Sequence, residues 1–304
     1  MVQEELLAAG APVSAHWIAD RQSGPLLLRY GTEEQRQAIL PRIAAGECFF
    51  CIGMSEPDSG SDLASARTRA APVDGGFRVN GTKLWTTNAH HAHYMILFCR
   101  TGDSDDDRHA GTSQLLVDLA TPGITIRPIR DMSGLEDFNE VVFDNVFVPE
   151  SAVIGELGRG WEQAMGELAY ERSGPDRWLS SFALLVELCR HLGNQPCDRS
   201  AELLGRITAH LVVLRRLSRS VAGMLERGEN PSLQASLVKD LGTQVEQEIP
   251  EIARQLADIE ASPGSDKALP AVLAHTLMYA PAFSLRGGTR EILRGIIARG
   301  LGLR

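Results

Sequence analysis

The stretch Gly53-Met54-Ser55-Glu56-Pro57-Asp58-Ser59-Gly60-Ser61-Asp62, with its counterpart Asn80-Gly81-Thr82-Lys83-Leu84-Trp85-Thr86-Thr87-Asn88, decides how this chain is read. Both read as short, polar, glycine-bearing loops set into an otherwise ordinary globular pattern. Gly60 permits close backbone approach, Ser55, Ser61, Thr86 and Thr87 supply hydroxyl donors, and Trp85 offers an aromatic face. Ser, Asp, Gly and Asn are also ordinary turn residues, so either loop alone reads first as a turn between strands. Together they suit a flat, polar cofactor.

Outward from these loops, the chain has 304 residues, 43% of them hydrophobic, and room for more than one core-forming domain. A net charge of -9 leaves no basic stripe for phosphates and argues against a nucleic-acid partner. Arg215, Arg216 and Arg219 are spaced as the wet side of a core helix carrying Leu211, Leu214 and Leu217. Five cysteines, Cys48, Cys51, Cys99, Cys189 and Cys197, read as buried free thiols, and none completes a metal site. No apolar run reaches the ~18 residues of a membrane span, and the chain reads as cytoplasmic.

Residues 1–46 read as helical, with Thr32 and Gln35 forming a capping box and Pro41 and Gly46 marking a boundary. Strand-like segments follow at 48–54, 77–80, 94–99, 113–118, 124–128 and 140–148, which is the pattern of a small antiparallel barrel or sandwich and not of a Rossmann domain. Gly102 to Gly111, with Asp103, Asp105, Asp106 and Asp107, reads as a solvated hairpin loop. Helical periodicity returns at 161–171, 179–192, 201–227 and 232–261 as a bundle. Leu157, Trp161, Ala164, Leu168 and Glu171 are spaced as one apolar stripe ending in a carboxylate. Burial at that place raises a carboxylate's pKa toward the working pH, as a general base needs. Pairing with a neighbouring arginine, or cloaking of the helix end near Gly174 and Pro175, is the other reading of Glu171.

The two loops, in order, and the closing Gly287-Gly288-Thr289-Arg290-Glu291-Ile292-Leu293-Arg294 segment resemble the acyl-CoA dehydrogenase family. The resemblance implies an α+β fold: a partial N-terminal helical domain (1–47), a central antiparallel β-barrel domain (48–155) and a C-terminal helical bundle (156–304), with FAD between the last two. It implies that several helices precede this region in relatives, so the chain looks N-terminally truncated, misannotated at its start, or a reduced paralogue. Much of the family has its catalytic glutamate directly before the C-terminal Gly-Thr, where this chain has Gly287; a subset carries it on the first bundle helix, and Tyr170-Glu171-Arg172 fits that pattern.

By resemblance, Glu171 is the base that takes the α-proton of an acyl-CoA thioester. Ser55, Gly60, Ser61, Trp85, Thr86, Thr87, Arg190, Thr289 and Glu291 contact FAD, while Ser61, Arg172 and the Gly287 amide meet the substrate. A surface salt bridge is the alternative for Arg172. Arg190-His191-Leu192-Gly193 keeps only a trace of the family segment that holds the adenine half, and Gly264 marks where a second such segment would lie. The implied acceptor is an electron-transfer flavoprotein, and the implied assembly a homo- or hetero-oligomer. Sterol-like acyl chains, a carrier-protein-linked acyl group, a non-catalytic subunit that completes a full-length dehydrogenase, and an oxidase are further expectations.

Overall fold

The structure is a computed structural model and describes residues 2–103 and 107–303. Asp105 and Asp106 of the expected acidic loop lie outside the described residues. In chain order the elements are α1 (Val2–Ala8), α2 (Gly24–Tyr30), α3 (Glu33–Ala44), β1 (Phe50–Gly53), β2 (Arg69–Val73), β3 (Gly76–Thr87), β4 (Tyr94–Arg100), β5 (Thr112–Asp118), β6 (Ile124–Ile129) and β7 (Phe138–Pro149). The helices α4 (Gly160–Arg172), α5 (Phe182–Leu192), α6 (Asp198–Glu226), α7 (Ser232–Leu256), α8 (Ala268–Phe283) and α9 (Arg290–Gly300) complete the chain. They form two units, a sheet unit of residues 14–168 and a helical unit of residues 2–13 and 169–303. No helix among the described residues is long and apolar enough to cross a membrane.

In the sheet unit, Thr32 and Gln35 close the expected capping box: the Thr32 hydroxyl accepts from the Gln35 amide at 3.2 Å, and Gln35 Oε1 accepts from the Thr32 amide at 3.1 Å. Pro41 lies inside α3 and does not end it; the stop is Gly46 at φ +74°. The sheet order is β1-β4-β2-β3-β7-β6, with β5 on β4. The expected antiparallel character holds for β2–β3, β3–β7, β6–β7 and β4–β5, whereas β1 runs parallel to β4. The strand β2 is not among the expected segments; Pro72 within it argues locally against a strand, yet Asp74-Gly75 makes the two-residue turn that pairs Val73 with Gly76.

The second polar stretch is not a loop. It is the second half of β3, hydrogen-bonded to β7 through Thr87, with register shifts at Val79/Gly81 and Lys83/Thr86. Asn80-Gly81 imitates turn chemistry in sequence, but Gly81 (φ +146°) is required because a Cβ there would lie 2.6 Å from Thr68 Oγ1. The two irregularities let one long strand aim its side chains differently along its length.

In the helical unit, the core gathers Trp178, Leu184, Leu188, Ile207, Leu214, Val238, Val245, Ile249 and Leu273 from α5, α6, α7, α8 and the turn before α5. Arg215, Arg216 and Arg219 face solvent, as their spacing requires. Cys48, Cys51 and Cys99 are buried free thiols, but Cys189 and Cys197 are exposed, because they flank the solvated α5–α6 connection. Leu157 is 51% exposed and precedes α4 across a Gly158 turn, so the apolar stripe begins at Trp161.

On α4, Glu167 is 4% exposed and its Oε2 accepts from Gln114 Nε2 of β5 at 3.1 Å, while its Oε1 has no hydrogen-bond partner among the described residues. Burial pushes the Glu167 pKa up to about 7, with the Gln114 hydrogen bond pulling the other way. A carboxyl whose folded pKa exceeds its unfolded one stabilises most below the unfolded value and loses that contribution as pH rises through the folded value. Unfolding free energy is therefore expected to fall by about 3 kcal/mol more in the native protein than in Glu167→Gln between pH 5 and pH 9. Denaturant titrations of both proteins across that range measure the difference, and parallel curves would show that Glu167 ionises normally.

Candidate functional site

Glu56 and Lys83, one from each polar stretch, meet inside the sheet unit. Lys83 Nζ donates to Glu56 Oε1 at 2.8 Å and to the Met54 carbonyl at 3.0 Å, and Lys83 is fully buried. The Glu56 carboxylate also accepts from the amides of Arg67 (2.7 Å) and Thr68 (2.9 Å). Burial pushes Glu56 up, but the Lys83 charge and these hydrogen bonds outweigh it and hold its pKa below the usual carboxylate range. A backbone bond from the Leu84 amide to the Ser55 carbonyl (2.9 Å) completes the seam.

With Glu56 and Lys83 turned inward, several of their neighbours in the two stretches stand at the surface. Gly60 and Ser61 are exposed, Ser55 and Thr87 are half-buried, and nothing lies within 4 Å of a Cβ built on Gly60. Trp85 is 57% exposed at φ +60°, with Phe138 against it edge-on at 6.1 Å. A bulky residue held in the left-handed region costs of order 1–3 kcal/mol and persists only where its surroundings over-determine it. Thr86 is 1% exposed and its hydroxyl has no partner among the described residues. An exposed indole face, an orphaned hydroxyl and a glycine open to close approach fit a large, flat, polar cofactor such as the expected flavin.

In the helical unit, α4 ends in Glu171 and Arg172, both 5% exposed. Arg172 Nε donates to the Gly287 carbonyl at 2.9 Å, and burial pulls the Arg172 pKa down to about 10, which leaves it charged at neutral pH. Its burial is at odds with the surface position that the alternative salt-bridge role implies. Glu171 Oε1 accepts from Arg177, itself 2% exposed, and Arg177 Nε donates to the Glu171 carbonyl at 3.1 Å. Glu171 Oε2 is buried without a hydrogen-bond partner among the described residues. Gly287 stands at φ +69°, and a Cβ on it would sit 2.5 Å from that oxygen. Both readings of Glu171 thus meet in one side chain: one oxygen is paired with an arginine, and the other faces the C-terminal glycine turn.

Glu171, Arg172 and Gly287 come together, with Gly288 (φ +99°) also against Arg172. Thr289 is the N-cap of α9 and accepts from the Ile292 amide, and Glu291 is exposed in the first turn, where backbone amides and Thr289 lower its pKa. Arg190 lies apart, exposed in the last turn of α5 and paired with Glu187. The residues missed from sequence are Arg177, Lys239, Glu246 and Arg286. Lys239 and Glu246 are buried on α7, and Arg286 binds Glu246 at 3.0 Å. Their signal was there: Lys239, Thr243 and Glu246 are spaced by four and three on an otherwise apolar helix face. No group of three or more His, Cys, Asp or Glu among the described residues is arranged to hold a metal.

The descriptions "Acyl-CoA dehydrogenase, N-terminal domain", "middle domain" and "C-terminal domain" match residues 1–47, 51–146 and 158–302. The chain is 34% identical to acyl-CoA dehydrogenase FadE34 of Mycobacterium tuberculosis over 99% of its own length and 41% of that protein. It is 33% identical to acyl-CoA dehydrogenase IpdE1 of Mycolicibacterium smegmatis over 99% of its length and 79% of that protein. Among solved structures, the G363A variant of the Tcur3481-Tcur3483 steroid ACAD superposes with a TM-score of 0.88 at 28% identity, over 99% of this chain and 82% of that one.

Removing one partner of the Glu56–Lys83 pair leaves a buried charge unmatched. Glu56→Gln is expected to destabilise the protein by about 3–5 kcal/mol in urea unfolding, with part of the loss restored in Glu56→Gln/Lys83→Met. Because the folded Glu56 pKa is lowered, its contribution is present above the ordinary carboxylate pKa and is lost as pH falls through the folded value. Acid unfolding of the native protein is expected to be steeper than that of the double variant.

Proposed function

Because the chain belongs to the acyl-CoA dehydrogenase family, a family of FAD-dependent oxidoreductases, we propose that it desaturates an acyl-CoA thioester between Cα and Cβ with Glu171 as the base. The observation that carries this reading is the Glu171 carboxylate against Gly287, with Oε2 buried and unpartnered. Gly287 is the position at which much of the family has its glutamate, so a carboxylate reaches the same place from α4. Oε2 takes the α-proton as the Cα–H bond breaks, and that electron pair forms the double bond as hydride leaves Cβ. Bound FAD supplies the two-electron acceptor for that hydride.

Around the base, this chain's own residues do the positioning. Arg172 holds the Gly287 carbonyl, and the left-handed turn at Gly287 and Gly288 keeps the space beside Oε2 free of a Cβ. The Gly287 amide donates to the thioester carbonyl, where negative charge grows as the α-proton departs. Ser55, Ser61, Thr86 and Thr87 would hold FAD through hydroxyls and backbone amides near Gly60, and Trp85 would screen one flavin edge. Within the helical unit, Thr289, Glu291 and Arg190 are the residues assigned to the cofactor.

The substrate class follows from the kinship with a steroid ACAD and from the glycine turn: a bulky, sterol-type acyl chain on CoA. That relative is named for two proteins, Tcur3481 and Tcur3483, and the present chain is likewise read as one subunit of an oligomer. An electron-transfer flavoprotein in the cytoplasm receives the electrons.

Anaerobic mixing of the purified flavoprotein with a panel of CoA thioesters tests the proposal, because loss of the oxidised flavin absorbance reports the reaction directly. Steroid side-chain thioesters are expected to bleach it and straight-chain ones to do so more slowly. Glu171→Gln is expected to retain flavin while reduction slows by about 10²- to 10⁴-fold. Undiminished bleaching in that variant would remove Glu171 from the chemistry.

A further inference from the structure

The turn between α4 and α5 is held from several sides. After Arg172 the chain breaks at Ser173-Gly174-Pro175 and a short 3-10 turn, Pro175–Arg177, carries Arg177 back to the end of α4. Ser218 of α6 donates to the Ser173 carbonyl at 2.6 Å, and Ser180 and Arg286 donate to the Asp176 carbonyl at 2.7 and 3.0 Å. On α7, Gly242 packs so closely that a Cβ would collide with the Arg177 carbonyl oxygen. The guanidinium these contacts fix meets Glu171 Oε1, the Glu171 carbonyl (3.1 Å) and Asp176 Oδ2 (3.1 Å).

We infer that Arg177 is the positioning residue of the base: it captures Oε1 and the main chain of Glu171 together, so that Oε2 alone is presented to the substrate carbon beside Gly287. This rests on the reading of Glu171 as the base. A free carboxylate offers two equivalent oxygens and rotates about its last torsion. Here one oxygen is occupied by a buried cation, and the residue is held at two points, one on its side chain and one on its main chain. The same charge favours the ionised carboxylate that proton abstraction requires. The other charged groups around the pair are Asp176 on the same turn, Arg172 on α4, Lys239 and Glu246 on α7, and Arg286 after α8. Glu4 of α1, the helix packed on this turn, is taken up by Arg215 at 3.1 Å.

The test compares Arg177→Gln, Arg177→Lys and Glu171→Gln in the flavin-loaded protein. Arg177→Gln is expected to lower kcat on the order of 10²-fold with KM little changed, since a misplaced base costs rate and not affinity. Its acidic limb of rate against pH is expected to move to higher pH by about 1–3 pH units, and Arg177→Lys to recover part of both effects. A readout apart from turnover is the double-mutant cycle on urea unfolding with Glu171→Gln, where the two substitutions are expected to be non-additive. A wild-type kcat and an unmoved acidic limb in Arg177→Gln, with Glu171→Gln inactive, would overturn the inference and leave the base reading standing. An active Glu171→Gln would instead remove the base reading itself. If Arg177→Gln does not fold, Arg177→Lys carries the test alone: reduced kcat at unchanged KM supports the clamp, and wild-type kcat overturns it.

Discussion

The buried pair of Glu56 and Lys83 is the constraint from which the sheet unit's polar surface follows. Two charges taken out of water are expensive, and their attraction offsets that only when the remaining lone pairs and protons are also satisfied. Here they are: the carboxylate takes two backbone amides besides the ammonium, and the ammonium takes a backbone carbonyl. Because Lys83 comes from β3 and Glu56 from the loop after β1, the pair fixes two segments far apart in sequence, and the Leu84–Ser55 backbone bond sets their register. Ser55, Gly60, Trp85 and Thr87 project outward because their neighbours are committed inward.

The helical unit solves a comparable problem in another way. Its turn at Ser173–Ser181 is irregular and buried, so its carbonyls need partners that a helix would have supplied within itself. Ser218, Ser180 and Arg286 provide them, and Glu246 accepts from the Ser180 amide at 2.8 Å. Lys239, fully buried and donating to Thr243 and the Phe283 carbonyl, has its pKa lowered to about 7 by burial and by the nearby Arg177 and Arg286 charges. Low local dielectric makes such a network rigid where it is satisfied. The rigidity is spent on two side chains, Glu171 and Arg177.

Much of this was legible in sequence where local chemistry and fold agree. Thr32 and Gln35 cap α3 as their spacing demands, and the arginines of α6 lie on its wet side. The sequence misled where residues satisfy one rule locally and another in space. Asn80-Gly81 reads as a turn, but partners on both sides turn it into a bulged strand. Pro72 hides β2, although Asp74-Gly75 announces the hairpin. Glu171 was visible as a carboxylate on an apolar stripe, yet Arg177 was not visible as its partner, because the six-residue separation suits no helix and only the break at Gly174-Pro175 folds one onto the other. The roles of Arg190, Thr289 and Glu291 depend on what they face when a cofactor is bound, and nothing in their own spacing specifies that.

The carboxylate and the glycine opposite it constrain each other. With Glu171 on α4 and its Oε1 held by Arg177, Oε2 lies where any side chain at position 287 would have to begin. The backbone there, at φ +69° followed by φ +99°, is one that side-chain-bearing residues seldom adopt. A second glutamate at 287 would therefore meet both steric overlap and like-charge repulsion in a site with little water to screen it. The choice of α4 as the source of the carboxylate and the loss of a side chain from the C-terminal turn are thus one structural decision.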